Sequence, residues 1–175
     1  VSFDISLADD DGDYQFYTRA TDSAGNVEDA PGSADATTPF DTQGPTTSDD
    51  YVDSGTWKTE SQTITLTEND GDIDWTKYCT DTIDECDPAT GTDEDGAVSM
   101  TTEGTEYFRY ASADVAGLVQ DTVSLTVMID TVEPSSSVDG ESLAAYQTSF
   151  TFDVPYIDSD DTSGVAGVEL WYQKD

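Results

Sequence analysis

Histidine is absent from the 175 residues, and only five are Lys or Arg against 39 Asp and Glu, a formal net charge of -34 at pH 7. Without imidazole the chain lacks the side chain that most often serves as general base and as nitrogen ligand to metals. So few cations cannot neutralise so many carboxylates. A compact state then needs screening by salt or neutralisation by bound cations, which fits brine or a divalent-rich exterior. The same charge excludes nucleic acid and anionic membranes as partners. Also missing are a signal peptide and any apolar run near the roughly 20 residues that span a bilayer, so no membrane insertion is expected in this segment, and an export signal or anchor is expected outside it.

Cysteine is scarce as well. Cys79 and Cys86 stand seven positions apart in YCTDTIDEC, with no His to complete a mixed zinc site. A disulfide closing a short loop is the expected arrangement, with two unpaired thiols as the alternative, and a disulfide implies an oxidising, extracellular setting.

What the chain does have is apolar surface. It is 35% hydrophobic, with nine Tyr, six Phe and three Trp spread along it, and a disordered acidic tail would not carry so many side chains that need burial. Long helical periodicity is absent, while period-two alternation bounded by Gly, Asp, Asn and Pro recurs. Strands are expected at residues 1–7, 14–20, 62–67, 74–79, 96–100, 106–113, 122–129, 149–154 and 166–173. In the second of these, Tyr14, Phe16, Thr18 and Ala20 share one face and Gln15, Tyr17 and Arg19 the other.

Two stretches occur twice. FYTRATDSAGNVED at 16–29 aligns with FRYASADVAGLVQD at 108–121 at an offset of 92, and FDTQGPTTS at 40–48 aligns with IDTVEPSSS at 129–137 at an offset of 89. The period of roughly 90 residues is the size of one small sandwich domain. Pro45 and Pro134 suit edge strands that open a new module, which places boundaries near Gly44 and Glu133. Residues 1–43 then hold the later strands of a module, 44–132 a complete one, and 133–175 the earlier strands of another. Exposed edges of half-sandwiches are unstable alone. Their complements are expected from neighbouring modules of a longer chain, or from copies of the same chain joined head to tail by strand complementation.

Four loops carry alternating carboxylates of the kind that bind calcium, a hard ion satisfied by about six to eight oxygens. They are Asp9, Asp11 and Asp13; Asn69, Asp70, Asp72 and Asp74; Asp93 and Asp95; and Asp158, Asp160 and Asp161. None shows the twelve-residue helix-loop-helix pattern, and in so acidic a chain solvated turn carboxylates give the same runs. Asp22 and Asp114, at matching places in the repeat, read as turn caps that accept backbone N–H bonds, with metal coordination as the alternative. No catalytic residues are expected: a glycosidase pair would require two acids at a fixed separation in a cleft, and nothing in the sequence selects one. Trp57, Trp75 and Trp171 could stack on sugars if exposed, but a core is the expected place for at least two of them.

These residues also carry a resemblance. DGDYQFYTRATDSAGNVE followed by DTQGP is similar to the immunoglobulin-like repeats of large archaeal and bacterial cell-surface proteins, as is the late DDTSGVAGVELWYQKD. YCTDTIDECDPATG more weakly resembles chitobiase C-terminal-like modules. The second copy departs from the pattern, reading VAGLVQ where the first reads SAGNVE. The resemblance implies an all-β chain of tandem immunoglobulin-like antiparallel sandwiches of Greek-key type, serving as adhesive, structural or spacer modules. The expected function is therefore a non-catalytic structural repeat of a surface layer, stalk or extracellular filament, stiffened by calcium. The alternative is an adhesin segment or an accessory binding module of a secreted hydrolase.

Overall fold

A computed structural model describes residues 11–174, which form thirteen β-strands and one short 3-10 turn, with no α-helix among them. The first expected strand, 1–7, lies outside the described residues. The chain opens with a hairpin of β1 (Gly12–Phe16) and β2 (Ala36–Phe40), in which Gly12 faces Phe40 and Phe16 faces Ala36. The strand expected over 14–20 thus ends at Phe16. Beyond it Asp35 accepts bonds from the backbone and hydroxyl of Thr18, which compete with ladder pairing.

The next strands are β3 (Thr47–Asp49), β4 (Trp57–Lys58), β5 (Gln62–Ile64), β6 (Leu66–Glu68) and β7 (Ile73–Asp81), followed by β8 (Thr92–Asp93), β9 (Val98–Met100), β10 (Gly104–Asp114) and β11 (Val123–Ile129). One sheet runs in the order β4-β11-β10-β7-β8; the pairs β3-β6 and β5-β9 lie opposite. Ile64, Leu66 and Met100 from the small pairs meet Phe108, Tyr110, Leu125, Val127 and Ile129 from the large sheet in one buried cluster. Period-two alternation creates this layer: along β11 Leu125, Val127 and Ile129 are buried while the residues between them are more exposed.

The first strand of this unit changes sheets. β3 pairs antiparallel with β6, whereas β4 runs parallel to β11. The crossing is made at Asp53 and Gly55, both at positive φ, with Gly55 N–H donating to the Thr126 carbonyl. A similar switch divides the run expected over 62–67, where β5 pairs with β9 and β6 with β3 on either side of Thr65. A buried polar seam closes the other end of the unit. The Thr47 and Thr76 hydroxyls both meet the Ser112 hydroxyl, and Gln120 holds the Thr47 backbone by its N–H and its carbonyl.

Last comes a hairpin of β12 (Ser135–Val138) and β13 (Tyr156–Ser159). The strands expected at 149–154 and 166–173 do not form among the described residues; β13 takes the pairing with β12 instead. Nor does the expected core placement of the tryptophans hold: Trp57 and Trp75 are half-buried and Trp171 is 84% exposed. Lys77 lies over the Trp75 ring, so that indole serves at the sheet surface.

Registers repeat along with sequence. Gly12 facing Phe40 and Phe16 facing Ala36 become Gly104 facing Ile129 and Phe108 facing Leu125, at the two sequence offsets. Likewise Ser48 facing Thr67 in β3-β6 becomes Ser137 facing Ile157 in β12-β13. Isolated bridges Thr21 to Val27 and Ala113 to Val119 complete the match.

Candidate cation-binding junction

The acidic loops do not behave alike. Asp74 lies exposed on β7 and Asp158 on β13. Asp93 pairs with Lys77 at 3.7 Å, and Glu94 between it and Asp95 accepts from Gly96 N–H, so two of that loop's three carboxylates have protein partners. Asp160 Oδ1 accepts from the N–H groups of Thr162 and Gly164, capping the turn beside Asp161. Asp9 lies outside the described residues.

Asp11, Asp13, Asp70 and Asp72, by contrast, come together. Two loops about 60 positions apart in the chain line one open cavity of about 780 Å3, joined there by Asp41 from the segment after β2 and by Val115 and Ala116. The folding reasons are local. Thr42 Oγ1 donates to Asp11, which ties the segment after β2 to the start of β1. The Thr46 backbone and hydroxyl both donate to Asp70, which ties it to the loop before β7. Among the described residues no Lys or Arg lines this cavity.

Electrostatics there are strained. The Asp72 carboxyl is held above its usual range by desolvation, then by the charges of Asp41 and Asp114. Asp114 is 2% exposed; its Oδ1 accepts from Leu118 N–H, while its Oδ2 has no hydrogen-bond partner. Val115, the next residue, donates its N–H to the Asp72 carbonyl, so the Asp114 turn and the Asp72 loop are joined directly. Among the described residues no group of three or more acidic side chains is placed so that it could hold a metal ion.

Turn capping by the repeated aspartates is seen in both copies. Asp22 accepts from Ala24 and Asn26 N–H and from the Asn26 side chain, which holds its carboxyl below the usual range. Asp114 caps the corresponding turn by accepting from Leu118 N–H, and Leu118 lacks the side-chain amide by which Asn26 adds a further bond to Asp22. Sequence reasoning missed Asp41 as a member of the junction. The signal was present, since Asp41 and Asp130 are the coincident acids of the second repeat mark, but it reads there as linker punctuation.

Cys79 and Cys86 form the expected disulfide. No helix among the described residues is long and apolar enough to cross a membrane. No protein-family model, curated protein or solved structure matches the chain.

Proposed function

We propose that this chain is a non-catalytic structural stretch of an extracellular surface layer, stalk or filament, built of tandem immunoglobulin-like Greek-key sandwiches with one whole module at 44–132 between two halves. The observation that carries the reading is the duplicated strand register, which gives the first hairpin the place of β10-β11 and the last hairpin the place of β3-β6. Burial at equivalent positions differs accordingly. Tyr110 is 2% exposed where Thr18 is exposed, and Leu66 is 8% exposed where Tyr156 is 57% exposed. A half-module leaves bare the face that its other half covers. The disulfide fits an oxidising exterior.

Copies of the chain meeting head to tail, or neighbouring modules of a longer chain, would supply the covering halves. Trp171 and Tyr172 are exposed and would serve the alternative reading, a binding module that stacks on sugars. They also lie in the half that the tandem reading leaves uncovered.

The test is sedimentation of the purified chain over a wide concentration range, with amide exchange measured on the same samples. Expected are mass growth with concentration, or a monomer protected over 44–132 and open over 11–43 and 133–174. A monomer equally protected in all three stretches at every concentration removes the half-module reading.

A further inference from the structure

Two stretches whose alternation predicts strand remain unpaired, and the repeat relates them to each other. β1 stops at Phe16, which leaves 17–20 outside it, and 166–173 joins no strand among the described residues. At the offset of 92, residues 17–20 correspond to 109–112, the part of β10 that lies against β7. There Arg109 faces Cys79, Ala111 faces Lys77 and Ser112 faces Thr76. β11 accompanies β10 only as far as Tyr110, so β7 is what keeps the end of β10 in a sheet. Residues 110–114 are accordingly buried, whereas 18–22 are all exposed. The segment 166–173 follows β13 as β7 follows β6, and it alternates Val168, Leu170 and Tyr172 with Glu169, Trp171 and Gln173. Leu170, Trp171 and Tyr172 are exposed.

Backbone direction and charge both suit a meeting of the two segments. The Thr18 and Ala20 N–H groups donate to Asp35 and Glu28, and the Ala20 carbonyl accepts from Glu28 N–H. Successive backbone groups of an extended chain point to opposite sides, so those of Tyr17 and Arg19 turn to the other edge, the one β7 occupies on β10. In a chain with 39 acids, residues 14–21 hold no acid and one Arg, and residues 162–174 hold one Glu and one Lys. Repulsion between copies is therefore smallest where these stretches meet. Side chains match as well. In the central module the Tyr110 hydroxyl donates to Asp49 at 2.8 Å, joining the large sheet to β3. Thr18 replaces Tyr110 and Val138 replaces Asp49, so both ends of that bond are exchanged together, which avoids the cost of a single unpaired partner. Bulk shifts from one half to the other: Ala36 stands in the place of Leu125, and Tyr156 in the place of Leu66.

We infer, resting on the tandem reading above, that 166–173 of one copy adds as a strand to the edge at 17–21 of a second copy, in the place that β7 holds on β10. Main-chain bonds along the edge supply the affinity, and the alternating apolar side chains fix which face turns inward. The two surfaces differ, so each copy keeps one free head and one free tail, and the contact propagates without closing.

The test uses the whole chain in about 1 M sodium chloride, where the Debye length of about 3 Å suppresses general repulsion. Leu170→Pro removes an N–H from the tail strand and Arg19→Pro removes one from the head edge, both at exposed positions outside strands. Sedimentation of the wild type is expected to show mass growing with concentration, with amide protection appearing at 17–21 and 166–173 as it grows. Each variant alone should stay a monomer while 44–132 keeps its wild-type protection. An equimolar mixture of the two should form dimers and nothing larger, since one intact tail and one intact head remain. Growth that persists in either variant overturns the inference, as does a mixture that stays monomeric. A wild-type monomer at every concentration overturns it too. If that monomer is open over 11–43 and 133–174, the half-module reading survives with neighbouring modules as the covering halves. If it is protected in all three stretches, both fall.

Discussion

Much of the chain's chemistry is carried by single carboxylates that cap turns, and the loop after β7 shows how closely one can be pinned. Burial raises the Asp81 carboxyl, but the N–H groups of Glu85, Cys86, Asp84 and Ile83 together pull it net below its usual range. The Cys79–Cys86 bridge closes the same loop, and Arg109 donates to the Asp84 carbonyl. Past it, Gly91 ends the 3-10 turn at Pro88–Thr90, and a Cβ there would sit 2.1 Å from the Tyr78 carbonyl oxygen. That obstacle is backbone of a central strand and cannot rotate away. Gly91→Ala is therefore expected to cost about 2 kcal/mol or more by forcing the turn off β7, read as a lower denaturant midpoint. Gly32→Ala, where nothing lies within 4 Å, serves as the control and should move it little.

Elements were legible in the sequence where alternation and pairing agree. β7, β10 and β11 emerge within three residues of their expected bounds, because each alternates apolar and polar residues over a long run that central pairing can use. The short elements β3 and β12 were unreadable as strands. TSD and SSSV carry hydroxyls, not an apolar face, and become strands only through the partners that β6 and β13 supply. Ser149–Val154 misleads for the opposite reason: it alternates well, yet Tyr156–Ser159 takes the partner strand. The runs of acidic residues made Asp11, Asp13, Asp70 and Asp72 visible, and the repeat marked Asp114 as a turn cap, but neither showed which acids would meet. That depends on loops distant in sequence being drawn to one cavity. Equivalent elements should also respond differently to the same change. Leu66→Ala, in the buried cluster, is expected to cost about 2 to 4 kcal/mol of unfolding free energy. Tyr156→Ala at the matching register position, 57% exposed, should change that energy by less than about 1 kcal/mol in dilute solution. Under the tandem reading Tyr156→Ala should instead weaken association at high concentration, which sedimentation measures.

Across the whole molecule, a net charge of -34 makes stability depend on pH in two opposing ways. Asp22, Asp35, Asp130 and Asp139 all lie below the ordinary 3.8 in the folded chain, held there first by bonds from Asn26, Thr18, Ser163 and Ser142 respectively. Their contributions are fully present above 3.8 and vanish as pH falls through the lower folded values. Asp72 works in the other direction. Burial, then Asp41, raise its folded value above 3.8, so its ionisation costs stability at neutral pH and the cost disappears as the group protonates. General repulsion among the carboxylates is relieved over the same interval. In chelator and low salt, Tm should therefore rise as pH falls from neutrality toward about 4.5, and drop steeply below the ordinary carboxylate range. About 1 M sodium chloride should flatten the rise by shortening the Debye length to about 3 Å, while leaving the acid limb, which rests on short hydrogen bonds. A Tm that falls steadily from pH 7 downward would mean that paired carboxylates outweigh repulsion throughout. The acidity would then be neutralised within the fold, with no need of ions from outside.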